Sequence, residues 1–390
     1  MIRLILFLLC LGTWPVVLAA PGYAEERCAA GIALTGPVPP ASMPGSEHAS
    51  GAGVTVAVID TGVASHPQLR NLDAGSDLVS PESPDPFHDC DAHGTIVAGI
   101  IASADRGIAP GARILSIRQT SSTTSHPDET SRARGTLSSL AQAIREAVDR
   151  GARVINVSVV ACVPPERAQR LDTRVLDEAL DHAEQQGSVV VAAAGNRSTQ
   201  CQDSSVVYPA HAPTVVAVGA LDDPHDLADY SLSSGRHLLA APGRLAAGLD
   251  PQGPGWIGAV GSPDSSGFIS APQELIGTSF AAPVVSGIAA LLLEQQPDYS
   301  PAQVRAHLFA AAQPPHGAIT THDAIATILP RSAPPREIPA VSRPVPPDTR
   351  AQSQSLHLAS ALGCAVLGGM VIRGFLLRYR SQRPSAHTWG

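Results

Sequence analysis

Five short runs constrain this chain more than any other feature. Residues 54–60 (VTVAVID), 113–118 (RILSIR), 154–160 (VINVSVV), 188–194 (SVVVAAA) and 214–221 (TVVAVGAL) are small, β-branched and nearly free of polar alternation. A strand with one wet face alternates polar and apolar residues, whereas these runs are apolar throughout and must be buried on both faces. Helical stretches at 93–103, 136–150 and 172–186 separate them, which is the spacing of crossover connections between parallel strands. The fold class is therefore α/β, a parallel sheet flanked by helices on both faces. Residues 279–296 (SFAAPVVSGIAALLLEQQ) are apolar on most sides and belong in the centre of such a domain. Ser300-Pro301-Ala302-Gln303 then opens another helix, with serine as N-cap, proline in the first turn and glutamine at the capping-box position. Aromatic residues make up only 4% of the chain, so the core is built from small aliphatic side chains.

The flanks divide the remaining sequence. Residues 1–24 combine an early arginine, an apolar run and small residues at Gly22 and Ala24, the pattern of a secretory signal peptide. Residues 25–50 form a short extension without clear periodicity. The α/β pattern fills 51–328. Residues 329–355 are a semi-rigid linker, with seven prolines in 330–355. Residues 356–378 read as a transmembrane helix, since twenty residues at about 1.5 Å each cross a hydrocarbon core of roughly 30 Å. Arg373 lies near one end, where its stem reaches the headgroups. Arg378, Arg380 and Arg383 follow, placing the tail 379–390 in the cytoplasm and the α/β domain on the other side of a cell membrane spanned once.

Cys10 falls in the signal and Cys364 in the membrane segment. Cys28, Cys90, Cys162 and Cys201 remain, enough for two disulfides in an oxidising compartment, with three pairings open. There is no C-x-x-C, no His-rich cluster and no compact acidic run, so no metal and no cofactor is expected. The net charge of −8 speaks against a nucleic-acid partner. All 26 basic residues are arginine, which excludes a Ser-Lys hydrolase.

The first apolar run ends AVIDTG, at Asp60. An aspartic-protease dyad needs a second D-T-G or D-S-G so that two carboxylates share a proton. None is present, because Asp264-Ser265-Ser266-Gly267 is one residue too long. A serine-protease triad needs a base and a nucleophile instead. DCDAHGT supplies His93 and GTSFAAP supplies Ser279, in the order Asp, His, Ser that distinguishes subtilisin from chymotrypsin. Ser279, opening a helix, would have unpaired N–H groups around it to favour an oxyanion, and Pro283 is expected in the first turn.

With these three blocks, residues 51–328 resemble a subtilisin-like serine protease (subtilase). The resemblance implies roles for further residues. Asn196, in VVVAAAGN, stands where the family places a side-chain amide in the oxyanion hole. Ser158, Val159 and Val160 stand on the strand that pairs with substrate. Val159, Val160 and Ala161, where many subtilisins have glycines, imply a preference for small P1 side chains. Cys90 beside the histidine, Cys162 after VINVSVV, the proline-rich linker and the terminal span narrow the likeness to the mycosins, membrane-anchored subtilases of type VII (ESX) secretion systems. That likeness implies the pairs Cys28–Cys90 and Cys162–Cys201. It also implies protein substrates, association with a type VII secretion membrane complex, and lipid contact through the C-terminal helix. The extension is too short for a folded inhibitory prodomain, and the likeness implies that it wraps the catalytic domain.

Overall fold

In a computed structural model of the chain, the residues described are 28–329, apart from 42–43, 46, 123–134, 225, 234–237, 264–267 and 270, and the helix 349–380. The signal segment 1–24, most of the linker and the last ten residues lie outside them. The chain divides into two units at residues 329 and 330.

The first unit opens with β1 (Ala30–Ala33), β2 (Thr55–Asp60), β3 (Leu72–Asp77), α1 (His93–Ala102), β4 (Arg113–Arg118), α2 (Leu137–Asp149) and β5 (Val154–Val157). It continues with β6 (Ala161–Val163), α3 (Pro165–Ala168), α4 (Arg174–Gln185), β7 (Val189–Ala193), β8 (Val206–Tyr208), β9 (Val215–Leu221) and β10 (Leu238–Pro242). Then come β11 (Arg244–Leu245), β12 (Gly248–Leu249), β13 (Trp256–Gly261), β14 (Gln273–Ile276), α5 (Thr278–Gln295), α6 (Pro301–Ala311) and α7 (Thr321–Ala326).

Seven strands form one sheet in the order β10-β9-β7-β5-β2-β4-β3, all parallel. β3 and β4, which follow β2 in the chain, lie on one side of it and β5 on the other, so the order reverses at β2. Ligands of open α/β sheets bind at such a switch point, beyond the carboxyl ends of the strands. Asp60 is the last residue of β2.

The alternation of side chains along a strand decides where Asp60 points. Val56 and Val58 belong to the core shared with α1 and α5, and Ala57 and Ile59 to the core shared with α2 and α4. Asp60 continues the Val56–Val58 side, toward α1 and α5. His93 is the first residue of α1, and Ser279 the second of α5.

The extension is not structureless. β1 pairs antiparallel with β13 in a second sheet, ordered β1-β13-β14-β11, and β14 runs directly into Gly277 and α5. A four-residue strand whose partner lies more than 200 residues away carries no local signal. Cys28 is bonded to Cys90, and Ala29 N–H donates to the Cys90 carbonyl at 2.7 Å. Cys162, in β6, is bonded to Cys201, in the segment between β7 and β8.

Two helix details follow from sequence chemistry. Ser300 and Gln303 form a reciprocal capping box on α6, with Pro301 in its first turn. Pro283, by contrast, sits in the second turn of α5 rather than the first, because the helix starts at Thr278. A proline there has no N–H for the carbonyl four residues earlier, which is that of Ser279.

The second unit is α8 (Thr349–Arg380). It begins inside the stretch read as linker, so the segment before the apolar run is helical from Thr349 onward. Its span Gln354–Arg378 contains an 18-residue stretch of mean hydropathy 1.8 and has exposed apolar side chains, long and apolar enough to cross a membrane. The 18-residue α5 is also apolar enough by composition, but it is buried in the core of the first unit.

Candidate active site

The Asp60 carboxylate is fully buried, and its Oδ1 lies 2.7 Å from His93 Nδ1. With Asp60 ionised, Nδ1 carries the proton and donates it to Oδ1. Nε2 is then left with a free lone pair. Thr61 N–H also donates to Oδ1, at 2.8 Å. Burial alone would depress the imidazole, but the charge and hydrogen bond of Asp60, with the charges of Asp89 and Asp91, outweigh it and raise the His93 pKa. The His93 side chain remains 24% exposed, open to a cleft of about 580 Å³ lined also by Thr61, Asp91, Thr120, Ser121 and Val159.

Ser279 is held from behind. Its carbonyl, left without a helical donor by Pro283, accepts from the Ser158 hydroxyl at 2.8 Å. Asn156 Nδ2 donates to Ser158 Oγ at 2.9 Å, and Ser286 Oγ donates to Asn156 Oδ1 at 2.9 Å. This buried chain fixes the first turn of α5 against the end of β5. The three residues read as the substrate strand follow directly. β5 ends at Val157, the Ser158 side chain is committed to Ser279, and Val160 packs against the core. Only Val159 of the three lines the cleft. The chain leaves the parallel register after Val157 because Ala161–Val163 pairs antiparallel with β8.

The Asn196 orientation is set by its partners. Oδ1 accepts from Thr278 N–H at 2.9 Å and Thr278 Oγ1 at 3.0 Å, so Nδ2 faces the other way. A Cβ built on Gly277 would meet Ser279 Oγ at 3.0 Å and Asn196 Nδ2 at 3.1 Å. The absent side chain therefore leaves open a pocket bordered by both a hydroxyl and an amide donor. A tetrahedral oxyanion bound to Ser279 Oγ needs a donor at that range.

The structure thus gathers Asp60, His93, Ser279 and Asn196 at one end of the sheet. The Ser279 hydroxyl makes no hydrogen bond among the described residues. The His93 ring instead rests beside Phe280, with centroids 5.4 Å apart. Catalytic contacts of this kind commonly tighten only with substrate in place. Among the described residues, the one group with metal-ligand spacing is Cys28, His88 and Cys90. Two of its members are joined in the disulfide, which leaves no thiolate to bind an ion.

Sequence reasoning missed Asp89, the acid four residues before His93. Its Oδ1 accepts from Thr61 Oγ1 at 2.7 Å, and its Oδ2 from Thr95 N–H at 2.8 Å and Thr95 Oγ1 at 2.6 Å. The only signal was its place in D-x-x-x-H-G-T. The same junction makes Gly94 irreplaceable, because a Cβ there would stand 2.0 Å from the Gly62 carbonyl oxygen and 3.2 Å from Asp60 Cβ. Gly94→Ala is expected to destabilise the fold by about 1–3 kcal/mol and to lower activity with it. Thermal unfolding and peptide hydrolysis of the purified variant check this.

Comparison with known proteins places these features in context. The subtilase family model (peptidase S8) matches residues 51–352. Mycosin-4 of Mycobacterium tuberculosis is 38% identical over 356 residues, covering 81% of this chain and 75% of that protein. The crystal structure of MycP1 from Mycobacterium smegmatis superposes with a TM-score of 0.67 at 30% identity, covering 81% of this chain and 94% of the other. A chain of an intact ESX-5 inner membrane complex superposes with a TM-score of 0.69 at 30% identity, covering 90% of this chain and 94% of that one.

Proposed function

The chain belongs to the subtilase family of serine endopeptidases, in its mycosin branch, and we propose that it is the membrane-tethered protease of a type VII secretion complex. The single observation that carries the catalytic part is the Asp60–His93 hydrogen bond beside the Ser279–Asn196 pocket. Ser279 Oγ attacks the scissile carbonyl carbon while His93 Nε2 takes its proton. Asn196 Nδ2 donates to the oxyanion. Asp60 holds the imidazole in the required tautomer and stabilises the imidazolium. His93 then returns the proton to the departing amine, leaving an acyl-enzyme that water hydrolyses by the same steps.

Tethering rests on α8 and on the arginines around its end, which favour a cytoplasmic tail at 379–390 and a catalytic domain on the far side of the membrane. The signal-like residues 1–24 agree with export of that domain. Protein substrates reaching it would be exported proteins, trimmed at few sites.

A second reading has its own support. The ESX-5 neighbour is a chain of an assembled inner membrane complex, so this chain would act as a structural subunit whose fold, rather than its turnover, sustains secretion. Comparing a Ser279→Ala strain with a full deletion separates the two roles. Tethered proteolysis coupled to scaffolding predicts that the point variant secretes normally but leaves exported substrate uncut, while the deletion abolishes secretion. A deletion that secretes as well as wild type would remove the type VII assignment.

A further inference from the structure

We propose that Asp89 is a positioning residue for the Asp60–His93 pair, tying the end of β2 to the first turn of α1. Thr61, which Asp89 grips through Oδ1, follows Asp60 directly. Thr95, gripped twice through Oδ2, is two residues beyond His93. One buried carboxylate therefore fixes both chain segments of the pair.

The grip also decides where a proton goes. Thr61 Oγ1 accepts from Gly94 N–H at 3.0 Å and has one proton of its own to give. Two acceptors compete for it, Asp89 Oδ1 at 2.7 Å and Asp60 Oδ1 at 3.3 Å. The shorter contact wins. Asp60 then keeps two close donors, Thr61 N–H and His93, and its Oδ2 is buried without a partner among the described residues. Without Asp89 the Thr61 hydroxyl would turn to Asp60 and compete with the imidazole for it.

The electrostatics point the same way. The charged groups facing His93 are Asp60, Asp89 and Asp91, and each favours its protonated form. Burial pushes the Asp89 carboxyl up to about 6, against hydrogen bonds from Thr95 and Thr61 that hold it down and with the Asp60 charge adding to the rise. Asp89 is thus ionised in the range where a raised imidazole gives up its proton and becomes a base. Removing that charge disfavours the imidazolium, so the His93 pKa falls and the acid limb of the rate profile moves to lower pH.

The test rests on the triad reading, and titration of wild type with a fluorophosphonate separates the two, since a chain that the probe does not label refutes the triad and not the clamp. On the full chain in detergent, kcat and KM for a peptide are measured across pH per titrated site. Asp89→Asn is expected to lower kcat by about tenfold or more, to leave KM within about twofold, and to shift the acid limb downward. Asp89→Glu keeps the charge and loses the grip, so its kcat falls while its acid limb stays. An Asn variant with wild-type kcat per site, or with an unmoved acid limb, overturns the proposal. Should that variant fail to fold, Thr61→Val removes the bridging hydroxyl with the Asp89 charge in place. It is expected to lower kcat without a downward shift, and an unchanged kcat overturns the clamp.

Discussion

Ser279→Ala is expected to lower peptide-bond cleavage at saturating substrate on the order of 10⁶-fold, with no loss of folded protein. The size follows from the chemistry. Without the hydroxyl no acyl-enzyme forms, and what remains is water attack assisted by the oxyanion pocket and by binding. The absence of a stability effect follows from the packing. The Ser279 backbone is anchored through its carbonyl by Ser158, and the hydroxyl itself holds no other described residue in place. Hydrolysis rates of the purified variant, with its unfolding temperature beside wild type, check both halves. A variant retaining cleavage within about tenfold of wild type places the nucleophile elsewhere.

Asn196→Asp is the second large effect. The substitution keeps Oδ1, which holds the Thr278 N–H and hydroxyl, and so preserves the loop. It replaces the Nδ2 donor with an acceptor carrying negative charge, aimed at the place where negative charge develops. Loss of one such donor costs about 10²–10³ in kcat, and repulsion adds to it. KM should change little, since the ground-state carbonyl is not yet an oxyanion. Steady-state kinetics on Asn196→Asp and Asn196→Ala measure the split. A rise in KM with unchanged kcat assigns Asn196 to substrate binding instead.

The parts of this architecture legible in the sequence are the continuous apolar strands, whose side chains alternate between two covered faces. The runs around β2, β4, β5, β7 and β9 are apolar on both sides because helices cover both faces, and that pattern needs no partner to be seen. The direction of Asp60 was implicit in the same alternation. The second sheet left no such trace. β1, β11 and β12 are two to four residues long, and β1 and β11 pair with segments remote in sequence. β3 (LDAGSD) is polar and glycine-containing, an edge strand with nothing apolar to mark it.

Within the site, the named motifs pointed to residues but not to their supports. Pro283 was read as harmless in a first turn. Placed one turn later it explains Ser158, whose hydroxyl fills the vacancy that the proline leaves on the Ser279 carbonyl. Ser158, read as part of the strand that pairs with substrate, also carries this side-chain contact. Asp89 escaped notice because an acid in a polar loop before a histidine looks like any solvated turn. Only the approach of Thr61 and Thr95 from two different elements shows what it does. The disulfide partners were equally beyond spacing alone, since four cysteines permit three pairings.

The most direct test of the account treats the full chain with a fluorophosphonate and locates the adduct by peptide mass mapping, in wild type and in His93→Ala. The account predicts a single adduct on the Ser279 hydroxyl, forming rapidly in wild type and on the order of 10³-fold or more slowly without the imidazole to take the proton. An adduct on another residue, or labelling of Ser279 at the same rate in His93→Ala, would contradict it.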